Sequence, residues 1–202
     1  MKAKSQAPKP AHRPASDRLV DAATELFYQH GFRAIGVDDI AARSGVTKTT
    51  LYRYFDSKDE LAAACLTRLA LDDLDQLMVF AKRHPDDPVA QIRAIVTAAA
   101  VKVTQPGYRG WLLSNLEAEI SDQDHPVRRV AKLYKTRLRD HLTETARQAG
   151  FGAPASLADG LLLLIEGVGA SWHSLGAVGP AANLTLSCEL LMRGHRAVAH
   201  AA

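Results

Sequence analysis

The chain has 202 residues, of which 47% are hydrophobic and 23% charged, a composition ordinary for a soluble globular protein of one or two small domains. Its two cysteines form no C-x-x-C pair, and Glu166 interrupts the longest apolar run, so the sequence argues against a disulfide framework, a zinc site and a membrane span. A net charge of +3 permits a polyanionic partner without requiring one.

The first residues are rich in Pro, Lys and Ala and have little to bury. Residues 1–16 are therefore predicted to be a disordered basic arm, either a solvated tail or a functional extension. From Leu19 onward apolar residues recur every three to four positions and no stretch alternates with period two, which predicts an all-α fold. The predicted helices lie at about 17–30, 37–44, 47–55, 57–83, 89–104, 108–121, 126–149, 154–175 and 180–195.

The second and third predicted helices form a helix-turn-helix. Gly45 ends the second helix, and Thr47 can cap the third after a turn of about three residues, the connection that this motif uses. Residues 17–60 are therefore predicted to be a three-helix N-terminal domain. Residues 61–202 are predicted to be a C-terminal helical bundle for ligand binding and dimerisation, which a long fourth helix joins to it.

The third helix, TKTTLYRYF, has an unusually polar outer face. On a helical wheel Leu51 and Phe55 share the inner side, while Thr49 and Arg53 occupy the opposite pole. Short polar groups and a guanidinium suit base edges in a major groove, and the flanking hydroxyls suit phosphates. Lys58, at the start of the next helix, adds a cation beside free backbone N–H groups. The alternative is a solvated polar face, which the short turn and the two outer tyrosines argue against.

A set of short motifs runs from the first helix to Leu61. They are A-x-x-L-F in the first helix, Gly31-Phe32, Val37 with Ile40-Ala41, Gly45-Val46, Leu51-Tyr52, Phe55, and Ser57-Lys58-Asp59-Glu60-Leu61. Together they resemble the DNA-binding domain of the TetR family of bacterial transcriptional regulators. The rest of the chain resembles that family only in its layout as a helical bundle.

By position, this resemblance implies base contacts from Lys48, Thr49 and Arg53. It implies phosphate contacts from five more residues, which are Thr47, Thr50, Tyr52, Tyr54 and Lys58. Two positions depart from the family's usual pattern. Thr49 stands where Gly, Ala or Pro is common, which makes an additional base hydrogen bond available, and Tyr54 stands where His is usual.

A single short recognition helix reads few base pairs, so such modules usually work as dimers on half-sites about 34–36 Å apart or a multiple of that. The eighth helix is apolar nearly all round, which predicts that both of its sides are covered. We therefore expect a four-helix homodimer interface across a two-fold axis, as the resemblance also implies, with an ordinary monomer core as the alternative. Its predicted residues are Gly160, Gly167, Ser171, Ser174, Leu184, Cys188 and Leu191.

Polar and aromatic side chains on the bundle helices are candidates for a small-molecule pocket, since such pockets are mostly apolar with a few polar groups. The candidates are Trp111, Asn115 and Glu119 of the sixth helix, and Tyr134 and Arg137 of the seventh. Asp159, Glu166 and His173 lie seven residues apart on the eighth helix, as an interface rim, a solvated edge or a ligand-contact row. No metal site and no cofactor is predicted.

These observations predict a cytoplasmic DNA-binding regulator, most simply a dimeric repressor of a palindromic double-stranded operator that a small-molecule effector releases. A ligand-independent architectural DNA-binding protein is the alternative. An enzyme is disfavoured because the sequence has no nucleophile motif, Gly-rich phosphate loop or metal-spaced carboxylates. A redox switch is also disfavoured, because Cys65 and Cys188 lack a basic neighbour that would lower a thiol pKa.

Overall fold

The computed structural model describes residues 13–199, and within this range every regular element is an α-helix, as the periodicity predicts. Residues 1–12 of the predicted basic arm lie outside the described residues, and the first helix starts at Ala15. The helices are α1 (Ala15–His30), α2 (Val37–Ser44), α3 (Lys48–Tyr54), α4 (Lys58–Arg83), α5 (Pro88–Val103), α6 (Leu112–Ala118), α7 (Pro126–Gln148), α8 (Pro154–Leu175) and α9 (Pro180–Ala199).

Helix α6 is shorter than the predicted helix over 108–121. Gly107 and Gly110 have φ values of 79° and 82°, which lie in the left-handed region that an α-helix does not use. The segment before α6 is therefore a turn. Trp111 becomes the N-cap residue of the helix and Glu119 its C-cap residue, so the two lie at opposite ends of α6.

A first hydrophobic core joins the three N-terminal helices to the bundle. Phe27, Ile40 and Leu51 are almost fully buried at its centre. Leu116 of α6 and Val127 of α7 belong to the same core. The N-terminal helices therefore share buried apolar surface with the start of α4, with α6 and with the start of α7. A movement of these bundle helices would therefore also move the N-terminal domain.

A second core lies among α4, α5, α7, α8 and α9. By length and composition alone α8 could cross a membrane, but Leu157, Leu161 and Ile165 bury one of its sides in this core. Cys188 is buried here and Cys65 in the first core. Burial raises the pKa of both thiols to about 11, so they stay protonated at neutral pH and unsuited to a redox switch.

The interface predicted on α9 needs correction. Leu184 and Cys188 are 1% and 0% exposed, inside the second core of the chain itself, so they cannot meet a partner. Both sides of α9 are apolar, and periodicity alone does not tell which apolar side faces inward. The outward side instead carries Leu186 and Leu190, which are 58% and 57% exposed.

The small residues predicted on α8 fall into different environments. A Cβ at Gly160 would come within 2.7 Å of the Leu191 side chain of α9, so these two residues mark a close approach of α8 to α9 inside the chain. The Ser171 hydroxyl donates to the Gly167 carbonyl at 2.8 Å. Gly167 and Ser174 are exposed on the outer side of α8, where Leu163 is 74% exposed.

Candidate nucleic-acid interface and bundle cavity

Local backbone chemistry builds the helix-turn-helix. Gly45 ends α2 in the left-handed conformation, with φ 66°, and leaves a three-residue turn before α3. The Thr47 hydroxyl caps α3 by accepting the Thr50 N–H at 3.1 Å, which satisfies a donor that the helix start leaves open. Arg18 of α1 donates to the Ser44 carbonyl at 3.0 Å, so α1 holds the end of α2 in place.

The burial pattern of α3 agrees with the helical wheel. Leu51 is 0% exposed, whereas Thr49 and Arg53 are exposed on the other side. Tyr52 and Tyr54 are 47% and 46% exposed. Within residues 13–199 no hydrogen bond or ion pair engages the side chain of Thr49 or Arg53, while the Arg53 guanidinium lies 5.3 Å from the centre of the Tyr54 ring. The outer face of α3 is thus available for a partner.

Lys48 is paired within the N-terminal domain. Its ammonium lies 3.0 Å from the Asp38 carboxylate of α2, and this hydrogen bond and charge raise the pKa of Lys48. Both side chains are at least half exposed, and exposed pairs contribute little to stability. Lys48 can therefore leave Asp38 for a nucleic-acid oxygen at low cost.

Lys58 has a structural role that the sequence did not indicate. Its ammonium donates to the carbonyls of Phe32 and Ile35, at 3.0 Å each, in the turn between α1 and α2. It also lies 4.1 Å from the centre of the Phe32 ring. An ammonium has three donors, and two of these hold the turn, so only one is left for the phosphate contact predicted for this residue.

Glu119 links α6 to the same turn. Its two carboxylate oxygens accept the backbone N–H groups of Phe32 and Arg33, at 2.9 Å each. Gly31 makes the approach possible, because its φ is +85° and a Cβ there would lie 2.7 Å from a Glu119 oxygen. Glu119 was predicted in a ligand pocket, but it lies instead at the junction between the bundle and the N-terminal domain.

Replacing Glu119 by alanine is expected to lower the free energy of unfolding by about 1–3 kcal/mol, because two backbone N–H groups lose a charged acceptor. Urea unfolding at fixed protein concentration measures this change. Hydrogen exchange should accelerate at the Phe32 and Arg33 amides in particular. Glu144→Ala is the control, since among the described residues Glu144 bonds only to the exposed side chains of Arg147 and Gln148. Unchanged exchange at both amides would show that Glu119 does not hold these two N–H groups.

A cavity of about 590 Å³ lies between α1, α4, α5, α6, α7 and α8. Its wall is mainly apolar and aromatic, a composition typical of small-molecule pockets. Of the five residues predicted for a pocket, Trp111 and Tyr134 line it. The cavity also has aromatic walls that were not predicted, from Tyr28, Phe80 and Tyr108.

The other three predicted pocket residues lie elsewhere. Asn115 donates to the Arg109 carbonyl at 2.7 Å, in the turn before α6. Glu119 clamps the α1–α2 turn, and Arg137 is exposed on α7. The prediction assumed one continuous helix over 108–121, in which residues four apart share a face. Because α6 starts only at Leu112 and Trp111 is its extended N-cap residue, Trp111 does not share that face with Asn115 and Glu119.

Trp111 is fixed on the wall by several contacts. Its indole N–H donates to the Ile165 carbonyl of α8 at 2.8 Å. Tyr108 meets the ring edge-on at a centroid distance of 5.4 Å, and Gly169 leaves room for the ring on α8. The Tyr108 hydroxyl is buried without a hydrogen-bond partner in the described part of the chain, although buried polar groups are normally satisfied.

Carboxylates supply most of the charge on the cavity wall. Asp73 accepts from the Tyr134 hydroxyl at 3.4 Å and lies 3.5 Å from the Lys102 ammonium. Glu166 accepts from the Ser114 hydroxyl at 2.6 Å. Burial, followed by the charge of Asp73, raises the pKa of Tyr134, so this phenol stays a neutral donor.

The row of acidic and basic residues predicted along α8 is not one functional stripe. Asp159 forms an ion pair with Arg139 of α7, with a second hydrogen bond at 3.0 Å. His173 is exposed, and its ring lies close to Gly110. Only Glu166 faces the cavity. The sequence alone left these three roles open.

Comparison with known proteins identifies the family. The family profile described as bacterial regulatory proteins, tetR family, matches residues 19–65. The HTH-type transcriptional regulator BetI of Brucella abortus is 30% identical over 165 residues, covering 80% of this chain and 81% of BetI.

Solved structures agree with this assignment. A TetR-family transcriptional regulator from Streptomyces coelicolor superposes with a TM-score of 0.82 at 29% identity, covering 90% of this chain and 96% of that one. SmeT in complex with triclosan has the same fold, with a TM-score of 0.72 at 19% identity over 89% and 90% of the two chains. With the helix-turn-helix and the helical bundle in place, the chain belongs to the TetR family of bacterial transcriptional regulators.

Proposed function

We propose that this regulator is a cytoplasmic repressor, which binds a palindromic operator as a homodimer and is released when a small molecule occupies the bundle cavity. The observation that carries the proposal is the position of α4 and α6. Each helix lines the cavity and also packs into the first core, which contains the N-terminal helices. An occupied cavity and the orientation of α3 are therefore mechanically connected.

The connection through α4 is direct. This helix has 26 residues and is therefore roughly 39 Å long. Lys58 at its first turn holds the α1–α2 turn, while Asp73, Leu77 and Phe80 further along line the cavity. A ligand that moves the middle of α4 also moves its N-terminal end, and in a dimer this changes the distance between the two α3 helices.

The connection through α6 is shorter. Leu112, Leu113 and Ser114 line the cavity, and Glu119 at the other end binds the α1–α2 turn. Binding of operator and of ligand would then favour different arrangements of the same two helices. By linkage, each would weaken the other by the same factor. A ligand-independent architectural protein would have no need for this arrangement.

Homologous structures and surfaces support the remaining parts of the proposal. SmeT, which has the same fold, was solved with triclosan bound. Leu186 and Leu190, four residues apart on α9, are exposed, as is Leu163 of the neighbouring helix α8, and exposed apolar patches commonly mark protein interfaces. On the DNA side, we assign base contacts to Lys48, Thr49 and Arg53, and phosphate contacts to the hydroxyls and lysine around them.

Selection of bound sequences from random duplex DNA tests the operator part of the proposal. We expect a palindrome whose half-sites lie one or more helical turns apart. Equal affinity for all sequences would instead support the architectural alternative. Repeating the selected complex with small molecules tests release, because an effector must lower operator affinity and the operator must lower affinity for that effector.

Replacing Arg53 by alanine is expected to weaken binding to the selected operator at least about tenfold and to relax the preference at one or two positions of each half-site. The matched control is Arg137→Ala, which removes the same charge from an exposed site on α7. Competition binding with single-base operator variants measures both effects. If the two variants behave equally, Arg53 does not contact bases.

A further inference from the structure

The side chain of Lys102 places a positive charge on the wall of the cavity. Lys102 of α5 lines the cavity, with its ammonium 3.5 Å from the Asp73 carboxylate of α4. The same ammonium lies 5.6 Å from the centre of the Trp111 ring, within the range of cation–π attraction. A carboxylate on one side and an indole face on the other thus form a place for a cation.

Lys102 is weakly held in this place. Its side chain is 48% exposed, and the flexible lysine stem lets the ammonium swing into water. Its distance to Asp73 is longer than that of a charge-assisted hydrogen bond, which is about 2.7–2.9 Å. Trp111, in contrast, is held by a 2.8 Å hydrogen bond from its indole N–H to the Ile165 carbonyl, and the short side chain of Asp73 moves less than a lysine stem. The ammonium of Lys102 can therefore leave while the indole and the carboxylate stay near their positions.

The other charges on the cavity wall have the opposite sign. In the part of the chain that the structure describes, the remaining charged lining residues are the carboxylates Glu25, Asp73 and Glu166. Glu25 is neutralised by Arg43, with a shortest contact of 2.5 Å. Glu166 shares the single ammonium of Lys135 with Glu117, at 3.4 and 2.9 Å. With Lys102 displaced, the cavity has a clear excess of negative charge.

We propose that the effector is an apolar molecule carrying one positive charge, and that its cation replaces the Lys102 ammonium between Asp73 and Trp111. The apolar body would occupy the rest of the cavity, against Phe80, Tyr108 and Leu138. The volume of about 590 Å³ leaves room for a body of at least two fused aromatic rings. This inference rests on the proposed function, which it extends by naming the chemistry of the ligand.

The test uses three naphthalene probes of different charge, of which the cation and the neutral probe have the same shape. They are (2-naphthylmethyl)trimethylammonium, its neutral isostere 2-neopentylnaphthalene, and 2-naphthylacetate. Affinities are measured for the full-length protein without DNA, by displacement of the neutral fluorophore N-phenyl-1-naphthylamine and by calorimetry. We expect the cation to bind roughly five- to tenfold more tightly than its neutral isostere, the range for one added cation–π and charge contact.

Two substitutions locate the subsite. Lys102→Met removes the competing ammonium and should strengthen binding of the cationic probe by roughly fivefold or more, with little change for the neutral isostere. Asp73→Asn should abolish the preference for the cation. The matched controls are Lys132→Met and Asp72→Asn, at exposed positions of α7 and α4 that do not line the cavity, and both should bind all probes as the unchanged protein does.

The opposite results would overturn the inference. If 2-naphthylacetate binds best and Lys102→Met weakens it, Lys102 is an anion site. If no probe binds, or if the preference for the cation survives in Asp73→Asn, the cation subsite does not exist. These titrations contain no DNA, so their failure is separate from that of the proposed function, which operator binding and its release test.

Discussion

Gly169→Ala is expected to lower the free energy of unfolding by roughly 2–3 kcal/mol, a large cost for adding one methyl group. A Cβ at Gly169 would lie 2.2 Å from Cδ1 and 2.4 Å from Nε1 of Trp111, far inside van der Waals contact. The indole cannot easily retreat, because its N–H is bonded to the Ile165 carbonyl on the same helix. The methyl group therefore either breaks this bond or pushes α8 away from the turn before α6.

A double-mutant cycle isolates this clash. In a Trp111→Leu background the ring is gone, so Gly169→Ala should be neutral or should stabilise α8 through the better helix propensity of alanine. We therefore expect a coupling of at least about 1.5 kcal/mol between the two positions. Urea unfolding of the four proteins at one protein concentration gives the four values. The same cost in both backgrounds would show that Gly169 is not needed for the indole.

The helix-turn-helix could be predicted closely because its signals are local. Gly45 ends α2, and Thr47 caps α3 two residues later. Leu51 faces inward, whereas Thr49 and Arg53 do not. Each of these features depends on neighbours within one or two helical turns, and short-range chemistry of this kind is visible in a sequence.

The contacts that join the bundle to the N-terminal domain could not be predicted, because they depend on residues far apart in the chain. The Glu119 carboxylate accepts the backbone N–H groups of Phe32 and Arg33, and no residue near Glu119 in the sequence indicates this contact. Lys58 read as a phosphate-binding lysine, but two of its donors hold the α1–α2 turn. The positive φ of Gly110 also changed which residues of α6 face the cavity.

The bundle helices show a second limit of periodicity. Helix α9 has two apolar sides, and the side with Leu184 and Cys188 is buried in the core. The other side, with Leu186 and Leu190, stays exposed in the single chain. Burial of an apolar side can be predicted from the sequence, but whether the same chain or a partner covers it depends on how α9 packs against α5 and α8.

Replacing both Leu186 and Leu190 by aspartate is expected to convert the proposed dimer to a monomer and to weaken binding to the proposed palindromic operator at least about 100-fold. Both side chains are exposed, so the substitutions leave the core of the chain intact. In a dimer, however, two pairs of carboxylates would be buried near the two-fold axis at a cost of several kcal/mol. The loss of affinity follows because the second α3 would no longer be held near its half-site, which removes the effective concentration that links the two binding events.

The matched control is Leu133→Asp on α7, since Leu133 is 53% exposed and lies outside the proposed interface. Sedimentation equilibrium gives the mass of each protein, and titration of full and half operators gives the affinities. The double variant should bind a half-site as the unchanged protein does, because α3 is untouched, and lose only the gain from the second half-site. A double variant that stays dimeric at micromolar concentration would place the two-fold axis elsewhere. A monomer that keeps full operator affinity would show that binding to the operator does not require dimerisation through α8 and α9 to bring the two α3 helices together.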